Sequence, residues 1–164
     1  NSTSISLSTT FCPIKEMAYK GAMTNAGGKM TKLTELTEVV LFDWGNTLMV
    51  DFPEAQGKMC DWEVVEEVAG AREVLAALSK QHKLYVATNA ADSTEQDIIR
   101  AFERVGLSQY LSGYFCKASL GVSKYDSDFY PAIITQLGVQ AQDVTMIGDT
   151  LEKDIYPALS LIHI

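Results

Sequence analysis

Six side chains in this 164-residue sequence are suited to one kind of chemistry. Asp43 follows the apolar run EVVLF and precedes Gly45 and Asn46. Thr88 and Asn89 lie near the end of KLYVATNA, Lys124 lies in GVSKYDSDFY, and Asp149 and Asp154 lie in GDTLEKD. Three carboxylates brought together repel, and at neutral pH they need a cation to stay ionised. A few hard oxygen ligands suit Mg²⁺, which retains several waters. The Lys124 ammonium adds a fixed positive charge. Such a set would accept a dianionic phosphoryl group, and a carboxylate beside the phosphorus can attack it to form an aspartyl-phosphate. The metal and Lys124 would stabilise charge on the equatorial oxygens, and Thr88 would donate a hydrogen bond to one of them.

These residues can meet only if the chain places them at one end of one element layer. Short apolar runs supply that layer. EVVLFDW (38–44), KLYVATNA (83–90), GYFCKA (113–118) and DVTMIGD (143–149) read as four buried strands. Helical spacing joins them. Val65, Val68, Val74, Leu75 and Leu78 mark a helix over 62–80, broken into two pieces at Gly70. Ser93 and Thr94 precede Glu95 and Asp97 as an N-cap for a helix to about Val105, which Gly106 ends. Residues 127–137 form another, with Pro131 tolerable only in its first turn, and a last helix starts at Lys153. This alternation predicts an α/β fold, a doubly wound parallel sheet with helices on both faces. In such sheets ligands bind beyond the carboxyl ends of the strands, where the six side chains fall.

The four segments, in this order, resemble the motifs of the haloacid dehalogenase-like hydrolase superfamily, over about residues 38–158. FDWGNTL looks like the first motif, with Asp43 matching the nucleophile. VATNA looks like the second, with Thr88 matching the phosphate-binding hydroxyl. Lys124-Tyr125-Asp126 resembles the third, where Lys-Pro-Asp is common. MIGDTLEKDI resembles the fourth, with Asp149 and Asp154 matching its metal-site acids. The resemblance implies a Rossmann-like sheet, a Mg²⁺ cofactor held by Asp43, the Gly45 carbonyl, Asp149 and Asp154, and most often hydrolysis of a phosphate ester. Thr88, Asn89 and Lys124 would bind the phosphorylated substrate.

Three departures qualify that expectation. Gly45 stands where phosphatases of this family usually carry a second Asp, which protonates the leaving group and then activates water. General acid–base help is worth roughly 10²–10⁴-fold. A non-catalytic phosphate- or ligand-binding protein, a dehalogenase or a phosphonate-cleaving enzyme are therefore the alternatives. Phosphonate cleavage needs a Schiff-base Lys, and Lys58, the only Lys in the insertion, reads as a solvated surface charge. The interval between the first two motifs leaves only 50–67 as a flap or minimal cap. A fifth strand, expected after the helix at Lys153, is missing, so one sheet edge would be exposed and Val144–Ile147 would lose cover.

The rest of the sequence bounds the partners. Thirteen basic against 21 acidic residues give a net charge of −8, which disfavours nucleic acid. No apolar run is long enough for a membrane-spanning helix. Cys12, Cys60 and Cys116 are odd in number and form no CxxC pair, which suggests a reducing, cytoplasmic setting without structural zinc. Residues 1–35, with a Ser/Thr-rich start, read as a disordered or non-native tail, and 36–158 as the core. LSLIHI (159–164) reads as an adapter-derived end or an edge strand. Trp44 and Trp62 read as packing residues, and Cys116 as a buried strand residue. The partner is a small or larger phosphorylated substrate, and the oligomeric state is left open.

Overall fold

β-Branched and aromatic residues in short runs form the centre of the molecule. In the computed structural model, which describes residues 38–150, the strands are β1 (Val39–Phe42), β2 (Lys83–Ala87), β3 (Gly113–Phe115) and β4 (Val144–Ile147). They pair in the order β3-β2-β1-β4, all parallel. In register, Phe42 lies beside Val86 on one side and Ile147 on the other. The residues after β1, β2 and β4 therefore emerge at the same edge.

Alternation along the strands divides the core between two faces. Val40, Phe42, Leu84 and Val86 point to one face and pack with α1 (Ala71–Leu78) and α2 (Glu95–Arg104). Val39, Leu41, Val144 and Met146 point to the other and pack with α4 (Phe129–Leu137) through Phe129, Tyr130 and Ile133. A short helix, α3 (Lys117–Leu120), leads into the loop that carries Lys124. The fold is thus the α/β Rossmann-like arrangement read from the sequence.

Local chemistry explains the helix ends. Thr94 caps α2, its hydroxyl accepting from the Asp97 N–H while the Asp97 carboxylate accepts from the Thr94 N–H. Pro131 sits in the first turn of α4, where its missing N–H costs nothing.

Three expectations need correction. Residues 62–70 are not helical: only Ala71–Leu78 coils, after Gly70 at φ +89°, a value that glycine adopts without strain. Before it, Met49 and Glu67 form an antiparallel bridge that draws the chain into an extended path. The third strand stops at Phe115, because Cys116 opens α3 instead of extending the strand. Val144–Ile147 is buried at every position, since both core clusters reach β4. The 1–35 tail, the helix at Lys153, Asp154 and the 159–164 end lie outside the described residues.

Candidate active site

The β1 end sets the centre of the site. The Asp43 N–H donates to the Ile147 carbonyl (2.9 Å), tying the first residue beyond β1 to β4. The chain then turns tightly, with the Trp44 carbonyl accepting from Leu48 (2.9 Å) and Met49 (3.1 Å). Asn46 occupies the left-handed region at φ +57°, which Asn tolerates better than most residues. Trp44 itself is buried and stacks against Phe102, as a packing residue should.

Lys124 is 1% exposed, and a buried ammonium requires a partner. Its Nζ donates to Asp43 Oδ1 and to the Ala87 carbonyl, both at 2.9 Å. Asn89 fixes the loop that delivers it: Asn89 Oδ1 accepts from Ser123 Oγ (2.9 Å) and from the Lys124 N–H (3.1 Å). Thr88 is buried at the end of β2, with its N–H bonded to the Phe115 carbonyl. Its Oγ1 accepts from the Ala90 N–H (3.3 Å), which leaves the hydroxyl proton available to donate. Asp149 is exposed one residue beyond Gly148, and Thr150 Oγ1 donates to its carboxylate at 3.1 Å.

A cavity of about 410 Å³ joins these ends, lined by Asp43, Gly45, Thr88, Asn89 and Asp149. Lys124 does not line it; its ammonium sits on the Asp43 carboxylate instead. Its ammonium thus lies next to the cavity-lining Asp43 carboxylate, the position from which a phosphoryl contact was expected. Asn89 lines the cavity and also holds the Lys124 loop. Among the described residues the lining includes Asp43, Asp149 and the Gly45 backbone, with no His or Cys. That hard oxygen set fits Mg²⁺. Among the described residues no three His, Cys, Asp or Glu side chains cluster as metal ligands, and Asp154 lies outside those residues.

The flap closes one side. Segment 50–67 contains a single 3-10 turn, Met59–Asp61, and contributes Asp51, Lys58 and Trp62 to the lining. Lys58 keeps contact with solvent, as the sequence suggested, but its charge is paired. Its Nζ bonds Asp97 Oδ2 at 2.6 Å, and that hydrogen bond holds its pKa above the ordinary lysine value. Burial raises the Cys60 thiol, and Cys116 is fully buried; neither is set up as a nucleophile.

Comparison with known proteins agrees with the fold. The family model for haloacid dehalogenase-like hydrolases matches residues 49–160. The chain belongs to that family. The matched span starts after the Asp43 turn and includes Thr88, Lys124 and Asp149. No curated protein matches the chain significantly. An uncharacterised protein from Listeria monocytogenes serotype 4b is similar at TM-score 0.69 and 23% identity, covering 76% of this chain and 74% of that one. A HAD phosphatase from Thermococcus onnurineus is similar at TM-score 0.60 and 17% identity, over 76% of this chain and 82% of that one. YfnB from Bacillus subtilis, solved bound to magnesium, is similar at TM-score 0.52 and 21% identity, over 58% of this chain and 42% of that one. At these identities the likeness concerns the fold. No helix among the described residues is long and apolar enough to cross a membrane.

Sequence reading missed Asp51, which lines the cavity from the flap. An acid eight residues after Asp43 was the available signal. It carried no weight without knowledge that the intervening turn folds back.

Proposed function

We propose that this haloacid dehalogenase-like hydrolase is a Mg²⁺-dependent phosphoric monoester hydrolase working through an aspartyl-phosphate on Asp43. The observation that carries the reading is the ion pair between the buried Lys124 ammonium and Asp43, whose side chain lines the cavity. The Lys124 ammonium holds the Asp43 carboxylate in one orientation, which a nucleophile needs. Thr88 donates to a phosphoryl oxygen from the end of β2. Asp43, the Gly45 carbonyl, Asp149 and Asp154 would hold Mg²⁺. When bound, the ion supplies positive charge for the phosphoryl oxygens.

In the first half-reaction an Asp43 carboxylate oxygen attacks phosphorus and the ester oxygen leaves. In the second, water attacks phosphorus and Asp43 returns as a carboxylate. The substrate is a small or larger phosphorylated molecule, since a short flap leaves the cavity open on one side.

Gly45 favours a second reading, in which the cavity binds a phosphorylated ligand without turnover. The two are separated by assaying an activated aryl phosphate with Mg²⁺. Hydrolysis that needs the metal and disappears in Asp43→Asn supports the enzyme. Metal-independent turnover, or turnover unchanged in Asp43→Asn, contradicts the mechanism. Binding without turnover in both the native chain and Gly45→Asp supports the ligand-binding reading.

A further inference from the structure

The turn that presents Asp43 brings a second carboxylate back beside Gly45. After Asn46 the chain reverses, and the Asn46 N–H donates to the Met49 carbonyl at 2.7 Å. Residues 48–50 are then pinned to the returning flap: Val50 N–H donates to the Glu66 carbonyl and Val68 N–H to the Leu48 carbonyl, both at 2.9 Å. The Asp51 N–H donates to Asn46 Oδ1 at 3.1 Å, which fixes the backbone of the next residue. As a result the Asp51 side chain occupies the space beside Gly45. A Cβ added at Gly45 would lie 3.5 Å from both Cβ and Oδ2 of Asp51.

Asp51 is exposed, lines the same cavity as Asp43, and has no hydrogen bond or ion pair to its carboxylate among the described residues. The other flap group of opposite charge, Lys58, is already engaged by Asp97. The Asp51 carboxyl thus lies next to the position where a side chain at 45 would begin.

We propose that Asp51 is the general acid–base of the reaction, supplying from the flap a carboxyl that position 45 lacks; this rests on the reading of Asp43 as the nucleophile. As Asp43 attacks phosphorus and the P–O ester bond breaks, protonated Asp51 gives its proton to the departing oxygen, releasing an alcohol or phenol. Asp51, now a carboxylate, takes a proton from the water that attacks the phosphoryl-Asp43. The P–O bond to Asp43 breaks, inorganic phosphate leaves, and Asp51 is again protonated. Each step balances with phosphate monoester and water alone.

A leaving group that needs its proton exposes this role. Native chain, Asp51→Asn and the double variant Asp51→Asn with Gly45→Asp are compared by kcat/KM on 4-nitrophenyl phosphate and on unsubstituted phenyl phosphate, with Mg²⁺ present and folding followed by thermal melt. Asp51→Asn is expected to lose roughly 10²–10⁴-fold on phenyl phosphate and far less on the nitrophenyl ester, with the double variant recovering part of the loss. Equal losses on the two esters, or none, overturn the role of Asp51 while Asp43-dependent turnover leaves the nucleophile standing. Absence of any Asp43-dependent turnover in the native chain overturns both.

Discussion

At the scale of single residues, the Lys124–Asp43 pair joins stability to chemistry. Its side chains are 2% and 17% exposed. Removing one member of a buried pair leaves the other charge without compensation. Lys124→Ala is therefore expected to cost about 3 kcal/mol, the lower end of the range for such pairs, because Asp43 keeps some contact with solvent. Denaturant unfolding with an unchanged m-value measures this. A variant as stable as the native chain would show that the pair is not an uncompensated burial problem. The residue types of the site were legible in the sequence, because each polar group sits where an apolar run stops. Their division of labour was not. Lys124 is bonded to Asp43, and Asn89 holds the loop that carries Lys124 as well as lining the cavity. Both facts depend on contacts more than thirty residues apart, which no local pattern encodes.

At the scale of elements, the flap is fastened to α2 by charge. Asp97 accepts from Lys58 at 2.6 Å and from Arg100 at 2.9 Å while closing the cap of its own helix. The Lys58 hydrogen bond, then the Thr94 N–H and Arg100, hold the Asp97 carboxyl far below the usual carboxylate range. A lowered folded-state pKa means that the unfolded chain takes up the proton first. The stabilisation is complete above the ordinary Asp value, about 3.9, and is lost as pH falls from there towards the folded-state value. Asp97→Asn is expected to lower the melting temperature at neutral pH and to flatten the acid limb of the melting profile. A native-like acid limb in that variant would contradict the assignment. The strands and α2 could be read from the sequence because continuous apolar runs and a cap box are local signals. Residues 62–70 could not, since Val65 and Val68 have helical spacing while the Met49–Glu67 bridge holds the segment extended. Long-range pairing overrode periodicity there, and the same pairing places Asp51.

At the scale of the molecule, a parallel sheet gathers acidic strand ends in a chain of net charge −8. Mg²⁺ should therefore bind the folded form and stabilise it by mass action, about 2.7 kcal/mol at a hundredfold excess over Kd. A rise in melting temperature with Mg²⁺ that is lost in Asp149→Asn is expected, and an equal rise in both would place the ion elsewhere. The central claim is a covalent phosphoryl group on Asp43. Acid quenching the chain during turnover of 4-nitrophenyl phosphate with Mg²⁺, followed by intact-mass and peptide analysis, tests it most directly. The expected result is one added phosphoryl group on the peptide containing Asp43, absent from Asp43→Asn. Sustained turnover with no phosphoryl-protein, and with Asp43→Asn as active as the native chain, would contradict it.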